Sequence, residues 1–122
     1  MNARALFFAL LLLPIAAAGQ QPDRLAILRN VASYIGFSEF CTAHGVDYRP
    51  IASRMRDSIA EHLRGNPGAE DVEFRRWDRA GQRGVLYNAS RNETVNVVER
   101  VSDFRQFCTA AQQYLTTLSQ VR

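Results

Sequence analysis

Ser90-Arg91-Asn92-Glu93-Thr94-Val95-Asn96-Val97-Val98-Glu99-Arg100-Val101-Ser102-Asp103-Phe104-Arg105-Gln106-Phe107-Cys108 is the stretch on which the reading of the fold turns. Ser90 and Glu93 match the S-x-x-E capping box, in which each residue satisfies an orphan backbone N–H at a helix start. After it Val97, Val98, Val101, Phe104, Cys108, Ala111, Leu115 and Leu118 recur at helical spacing. The pattern predicts one long helix over 91–120. Its first turns are the weakest, because Thr94, Val95, Val97 and Val98 are β-branched and stiff in a helix.

On this reading Cys108 lies about five turns inside the last helix. Cys41 lies equally deep in the first, read over 23–44. Asp23 caps that first helix. Leu25, Leu28, Ala32 and Ile35 form its stripe, and Phe37, Phe40 and Cys41 continue an apolar face past a weak point at Gly36. His44-Gly45 closes it. Each cysteine is then roughly 26 Å from its helix start. A disulfide requires Cα atoms within about 7 Å, so a bridge makes the first and last helices run parallel, or cross near it. Two cysteines in a small exported chain read as a disulfide. Two free thiols or an intermolecular bridge are the rival readings, and the lack of C-x-x-C disfavours a redox centre.

Between these ends a second helix starts near Asp47, with Pro50 in its first turn. Tyr48, Ile51, Ala52, Met55, Ile59 and Leu63 give the cleanest amphipathic stripe of the chain, and Arg49, Arg54, Arg56, Asp57, Glu61 and Arg64 occupy its other side. Gly65-Asn66-Pro67-Gly68 stops it. Residues 69–79 begin acidic (Glu70, Asp71, Glu73) and finish basic (Arg75, Arg76, Arg79), an order that suits the helix dipole. They read as a short helix, ended by an irregular turn at Gly81 and Gly84. Val85-Leu86-Tyr87 fits strand, helix or loop. The expected fold is all-α: a small bundle of three long helices plus a short crossover helix, with Cys41–Cys108 tying the first helix to the last.

Residues 1–18 read as a cleavable signal peptide. Arg4 supplies the positive start, the uncharged run 5–15 follows, and Ala16-Ala17-Ala18 offers the small-x-small cleavage pattern. The run is too short for a membrane span, which needs about 20 apolar residues. Residues 19–122 then form a single helical domain with no span, placed in the periplasm, or in the medium of a single-membrane cell. A hydrophobic share of 47% and a charged share of 22% exclude disorder. All 15 basic residues are arginine, a bias expected of a GC-rich bacterial genome. Without Arg4, fourteen arginines face twelve carboxylates, a net charge of +2. That excess is not the footprint of a nucleic-acid binder.

The sequence holds no haem-attachment, zinc-protease, phosphate-loop, dinucleotide or nucleophile-elbow motif. The reading therefore assigns no cofactor, no metal and no catalytic residue. His44 reads as a helix-end residue and His62 as isolated. Glu70, Asp71 and Glu73 read as helix-start charges. The sequons Asn88-Ala89-Ser90 and Asn92-Glu93-Thr94 read as turn and cap residues in a bacterial chain. The most suggestive stretch runs from Phe74 to Gly84, where four arginines surround the only tryptophan. Arg75, Arg76, Trp77, Arg79 and Arg83 are the binding candidates, since Trp and Arg are enriched at interface hot spots. The competing reading buries Trp77 and leaves the arginines as a solvated face. The expected function is a small exported binding or accessory protein whose partner is an envelope protein or an anionic surface. The alternative is a small envelope hydrolase with catalytic carboxylates assembled from different helices.

Overall fold

The computed structural model describes residues 23–65 and 68–120. The signal peptide assigned to 1–18 lies outside them. The described residues are mostly helical, with four helices of similar length, one short helix and one hairpin. Helix α1 spans Arg24–Thr42, α2 Arg49–Arg64 and α3 Ala69–Gln82. Strands β1, Val85–Asn88, and β2, Glu93–Asn96, follow, then α4, Val97–Arg100, and α5, Phe104–Ser119. No described helix is long and apolar enough to cross a membrane.

Local signals place the first two helices. Asp23 caps α1, its Oδ1 accepting the Ala26 N–H at 2.7 Å. Pro50 sits in the first turn of α2, where its missing N–H costs little. Asp47 binds Arg49 through the backbone N–H at 3.1 Å and the guanidinium at 2.9 Å. The cap position itself falls on Tyr48, whose side chain is buried and donates its O–H to the Tyr34 carbonyl at 2.8 Å.

Helix α1 is the centre of the molecule. Ala26, Asn30, Ala32, Ser33, Ile35, Gly36, Phe37, Ser38 and Cys41 are all buried, which places buried residues on every side of the helix rather than along one stripe. A helix buried all round has neighbours on every side. Arg24 meets His62 near the end of α2 and Tyr34 meets Tyr48 near its start, so α1 and α2 run antiparallel. Arg29 pairs with Glu73 and Gly36 abuts Asp78, so α1 and α3 run parallel.

The α1–α3 contact is made by backbone. A Cβ on Gly36 would lie 1.8 Å from the Asp78 carbonyl oxygen, and one on Gly81 would lie 2.0 Å from that of Ser33. The expectation that Gly81 breaks the helix is therefore corrected. Helix α3 continues through Gly81 to Gln82 because α1 occupies the space a side chain would need. The crossover segment is a 14-residue helix beside helices of 19, 16 and 16 residues, not a short cover on three long ones.

The largest correction concerns the stretch from Ser90 to Cys108. Residues 93–96 pair with 85–88 as an antiparallel hairpin, in the register Val85↔Asn96, Leu86↔Val95, Tyr87↔Thr94 and Asn88↔Glu93. The capping box does not form. Asn88 Oδ1 instead accepts the N–H groups of Ser90 and Arg91 and the Ser90 hydroxyl, and Asn92 turns the chain at φ 53°. The β-branched residues that weaken a helix here stabilise a strand. The true start of the last helix is Asp103, whose Oδ1 accepts the Gln106 N–H at 3.0 Å.

This relocation reverses the predicted helix direction. Cys108 lies in the second turn of α5 while Cys41 lies in the last turn of α1. The disulfide Cys41–Cys108 is present, with Cα atoms 5.6 Å apart. From it the contacts run Phe37 to Phe107 (5.8 Å between ring centroids), Tyr34 to Tyr114 (4.6 Å) and Asn30 to Tyr114. Helices α1 and α5 are antiparallel, not parallel.

Candidate functional site

Helix α3 carries the candidate binding residues. Phe74, Ala80 and Gly81 are buried against the core, and Glu70, Glu73, Trp77 and Asp78 are half-buried at the margins. The opposite face exposes Val72, Arg75, Arg76, Arg79 and Arg83. Arg75 and Arg79 on the helix and Arg83 at its C-cap are spaced by four residues and form one row. The four candidate arginines therefore share a face.

Their partners differ along the row. Arg75 pairs with Asp71 at 2.9 Å, and Arg76 reaches Glu73 at 3.5 Å. The Arg83 guanidinium donates to the carbonyl of Arg79 at 3.3 Å. Among the described residues no carboxylate pairs with Arg79 or Arg83. The surface pairs are worth about 0.3–0.5 kcal/mol each, so an incoming anion displaces them at small cost.

Trp77 is not part of the exposed row. It packs against the core, and its ring lies 5.1 Å from that of Tyr87 at 59°. Arg76 covers the Trp77 ring at 6.0 Å and Arg29 covers Tyr87 at 5.6 Å. Glu73 lies between the two arginines, accepting from Arg29 at 2.7 Å. The Arg29 hydrogen bond is the main cause holding the Glu73 carboxyl below its usual range, with Arg76 and the Trp77 indole adding to it. The indole Nε1 is buried and makes no hydrogen bond of full geometry. Trp77 thus serves as the floor that sets Arg76.

Sequence reasoning missed three contributors. Val72, 55% exposed, adds an apolar flank one turn from Arg75 and Arg76, and its spacing alone could have revealed it. Arg29 and Tyr87 come from α1 and β1, and no local pattern connects them to α3.

Three further carboxylates, Glu70, Asp78 and Asp47, are held by arginines. Glu70 bonds to Arg24, and Asp78 takes a two-point contact from Arg56 at 2.8 and 3.0 Å. The Arg49 hydrogen bonds pull the exposed Asp47 carboxyl down to about 2. A general acid needs a carboxyl shifted upward, and Asp47 and Glu73 move the other way. His44 packs on Phe40 and Phe104, while His62 contacts Arg24. No group of three or more metal-ligating side chains occurs among the described residues. Comparison with known protein families, with curated proteins and with solved structures gives no match.

Proposed function

We propose that the protein is a small exported binding module that takes an anionic partner on the arginine face of α3. The partner is an envelope protein with an acidic patch, or an anionic surface, and the place of action is the periplasm. The observation that carries this reading is the row Arg75, Arg79 and Arg83, the last two without a carboxylate partner among the described residues. The row stands on a helix locked to α1 by backbone contact at Gly36 and Gly81. A fixed helix presents its guanidinium groups without having to be ordered on binding. Arginine matches carboxylate and phosphate groups with two parallel hydrogen bonds, which lysine does not. The disulfide supports the exported reading, since such bonds persist in oxidising compartments.

The test is the pair of substitutions Arg79→Glu and Arg83→Glu in one protein. Both side chains are exposed and lie outside the core. Binding to phosphatidylglycerol vesicles and to a polyglutamate peptide is measured at low and moderate salt. The wild type binds at least one probe, and binding weakens as salt rises. The double variant loses that binding while keeping its circular dichroism and melting temperature. Equal binding by both proteins would remove the arginine face from the mechanism. Trp77→Ala is the poorer test, because it also removes core packing.

A further inference from the structure

The arginine face of α3 combines an excess of positive charge, a regular spacing and one apolar end. Two of the three carboxylates at the start of the helix are committed to α1, Glu70 to Arg24 and Glu73 to Arg29. Asp71 is left for Arg75, and Arg76 reaches Glu73 only at 3.5 Å. Among the described residues Arg79 and Arg83 have no carboxylate partner. Successive members of the row Arg75, Arg79 and Arg83 are about 6 Å apart along the helix axis. Val72, 55% exposed, stands one turn before Arg75 and Arg76. The apolar end and the two free arginines therefore lie at opposite ends of one strip.

These features choose among occupants. A bilayer would meet arginines and a single valine, because Phe74 and Trp77 on the apolar side of α3 are packed in the core. An interfacial helix holds a membrane by burying its apolar face, and that face is already taken. A second copy of this chain in a symmetric contact brings the same arginines, so like charges would meet. An acidic polypeptide supplies the charge this face lacks. Repulsion between its own carboxylates keeps such a segment extended. An extended chain sets every second side chain on one side, at a repeat of about 6.6–6.8 Å. That repeat is close to the spacing of the row. Carboxylates on adjacent residues would point to opposite sides, and only half would reach the helix.

We infer that the arginine face receives an extended acidic segment of a partner protein, with a carboxylate on every second residue and an apolar residue at one end. The apolar residue rests on Val72. The carboxylates that follow meet Arg75, Arg79 and Arg83 in order, each able to take a two-point contact from a guanidinium group. Arg76, set over the Trp77 ring, flanks the first of them. The exposed contact between Asp71 and Arg75 gives way to the incoming carboxylate at small cost. This inference rests on the arginine-face reading of the function and adds the partner's chemistry and the spacing of its charges.

The oxidised protein is titrated at low salt and followed by amide NMR shifts. The probes are Ac-Leu-Ser-Glu-Ser-Glu-Ser-Glu-NH2 and its isomer Ac-Leu-Ser-Ser-Ser-Glu-Glu-Glu-NH2, which share composition and charge. The alternating peptide is expected to bind about threefold more tightly, the worth of one exposed ion pair, with shifts from Val72 to Arg83. Val72→Ala is expected to lower that affinity by about twofold through lost apolar contact. Arg79→Glu with Arg83→Glu is expected to abolish it. Equal affinity for the two peptides, or tighter binding of the block isomer, overturns the inference and leaves the arginine-face reading intact. Binding to phosphatidylglycerol vesicles with none to either peptide also overturns it, because the same arginines then take a lipid surface. Unchanged affinity in Val72→Ala overturns the apolar end of the motif. Peptide binding that survives the double arginine variant, or no response to any probe, overturns both this inference and the reading beneath it.

Discussion

Gly81 of α3 and Ser33 of α1 touch through backbone alone, and a methyl group on Gly81 would stand 2.0 Å from the Ser33 carbonyl oxygen. Gly36 and Asp78 repeat the arrangement in the opposite sense. Each glycine admits the main chain of the other helix, and the arginine face of α3 is held at a fixed distance from the core.

Gly81→Ala is expected to destabilise the protein by about 2–3 kcal/mol, the scale of overpacking in a filled interior. The gain of about 1 kcal/mol in helix propensity is smaller than this loss. Gly65→Ala is the control, since its nearest neighbour would be 4.0 Å away and its backbone is already helical. Urea denaturation measures both. Equal stability of the two variants would show that the helices separate freely.

Removing the disulfide by Cys41→Ser with Cys108→Ser is expected to cost about 2–5 kcal/mol, because the bond closes a long loop in the unfolded chain. The sequence separation is 67. Phe37, Phe107, Tyr34 and Tyr114 still connect α1 to α5, so most helical circular dichroism survives at low temperature. A change below about 0.5 kcal/mol would mean that the unfolded chain is not loosened by the loss of the bond.

Asn30→Ala is expected to cost about 2–3 kcal/mol, since it strands two buried groups at once. The Tyr87 carbonyl loses its donor at 2.7 Å and the Tyr114 hydroxyl loses its acceptor at 2.6 Å. Amide exchange should accelerate in β1 and β2 more than in α2. Uniform acceleration across the protein would show that the hairpin does not open by itself.

Alkaline pH attacks three tyrosines. Burial raises the Tyr34 and Tyr48 hydroxyls above their usual range, and it pushes Tyr114 to about 12. Their unfolded value is about 10. The fold keeps the neutral form, so this contribution is fully present below pH 10 and is lost as pH rises from 10 toward 12. Tyrosinate absorbance from these residues should appear together with loss of helix signal. Ionisation of all three near pH 10 in a folded protein would contradict their burial.

Part of this architecture was legible in the residues. The Asp23 cap, Pro50 at the start of α2 and the pairing of Cys41 with Cys108 were all read from sequence. So was the stripe Ile51, Met55 and Ile59. These features depend on neighbours within one or two turns, or on there being a single way to pair two cysteines. The arginines were picked out as candidates from the residues alone, but their single row was not, because Arg83 falls in line with Arg75 and Arg79 only when the helix continues through Gly81. For Trp77 the residues allowed either a core or an interface role, and its packing on Tyr87 from β1 places it against the core.

The last third of the chain shows the boundary. Ser90 and Glu93 carry a helix-start pattern, yet residues 93–96 are a strand. Local preferences there are worth tenths of a kcal/mol per residue. The contacts that fix the hairpin, Asn30 and Ser33 to Tyr87, span 57 and 54 residues and satisfy buried backbone groups, each of which would cost about 1–3 kcal/mol unpaired. Sequence therefore determined the helix caps, the helical faces and the cysteine pair. Tertiary structure decided the conformation of 93–96, the antiparallel sense of α1 and α5, and the use of Gly81 as a contact rather than a break. Those choices depend on burial between segments far apart in the chain.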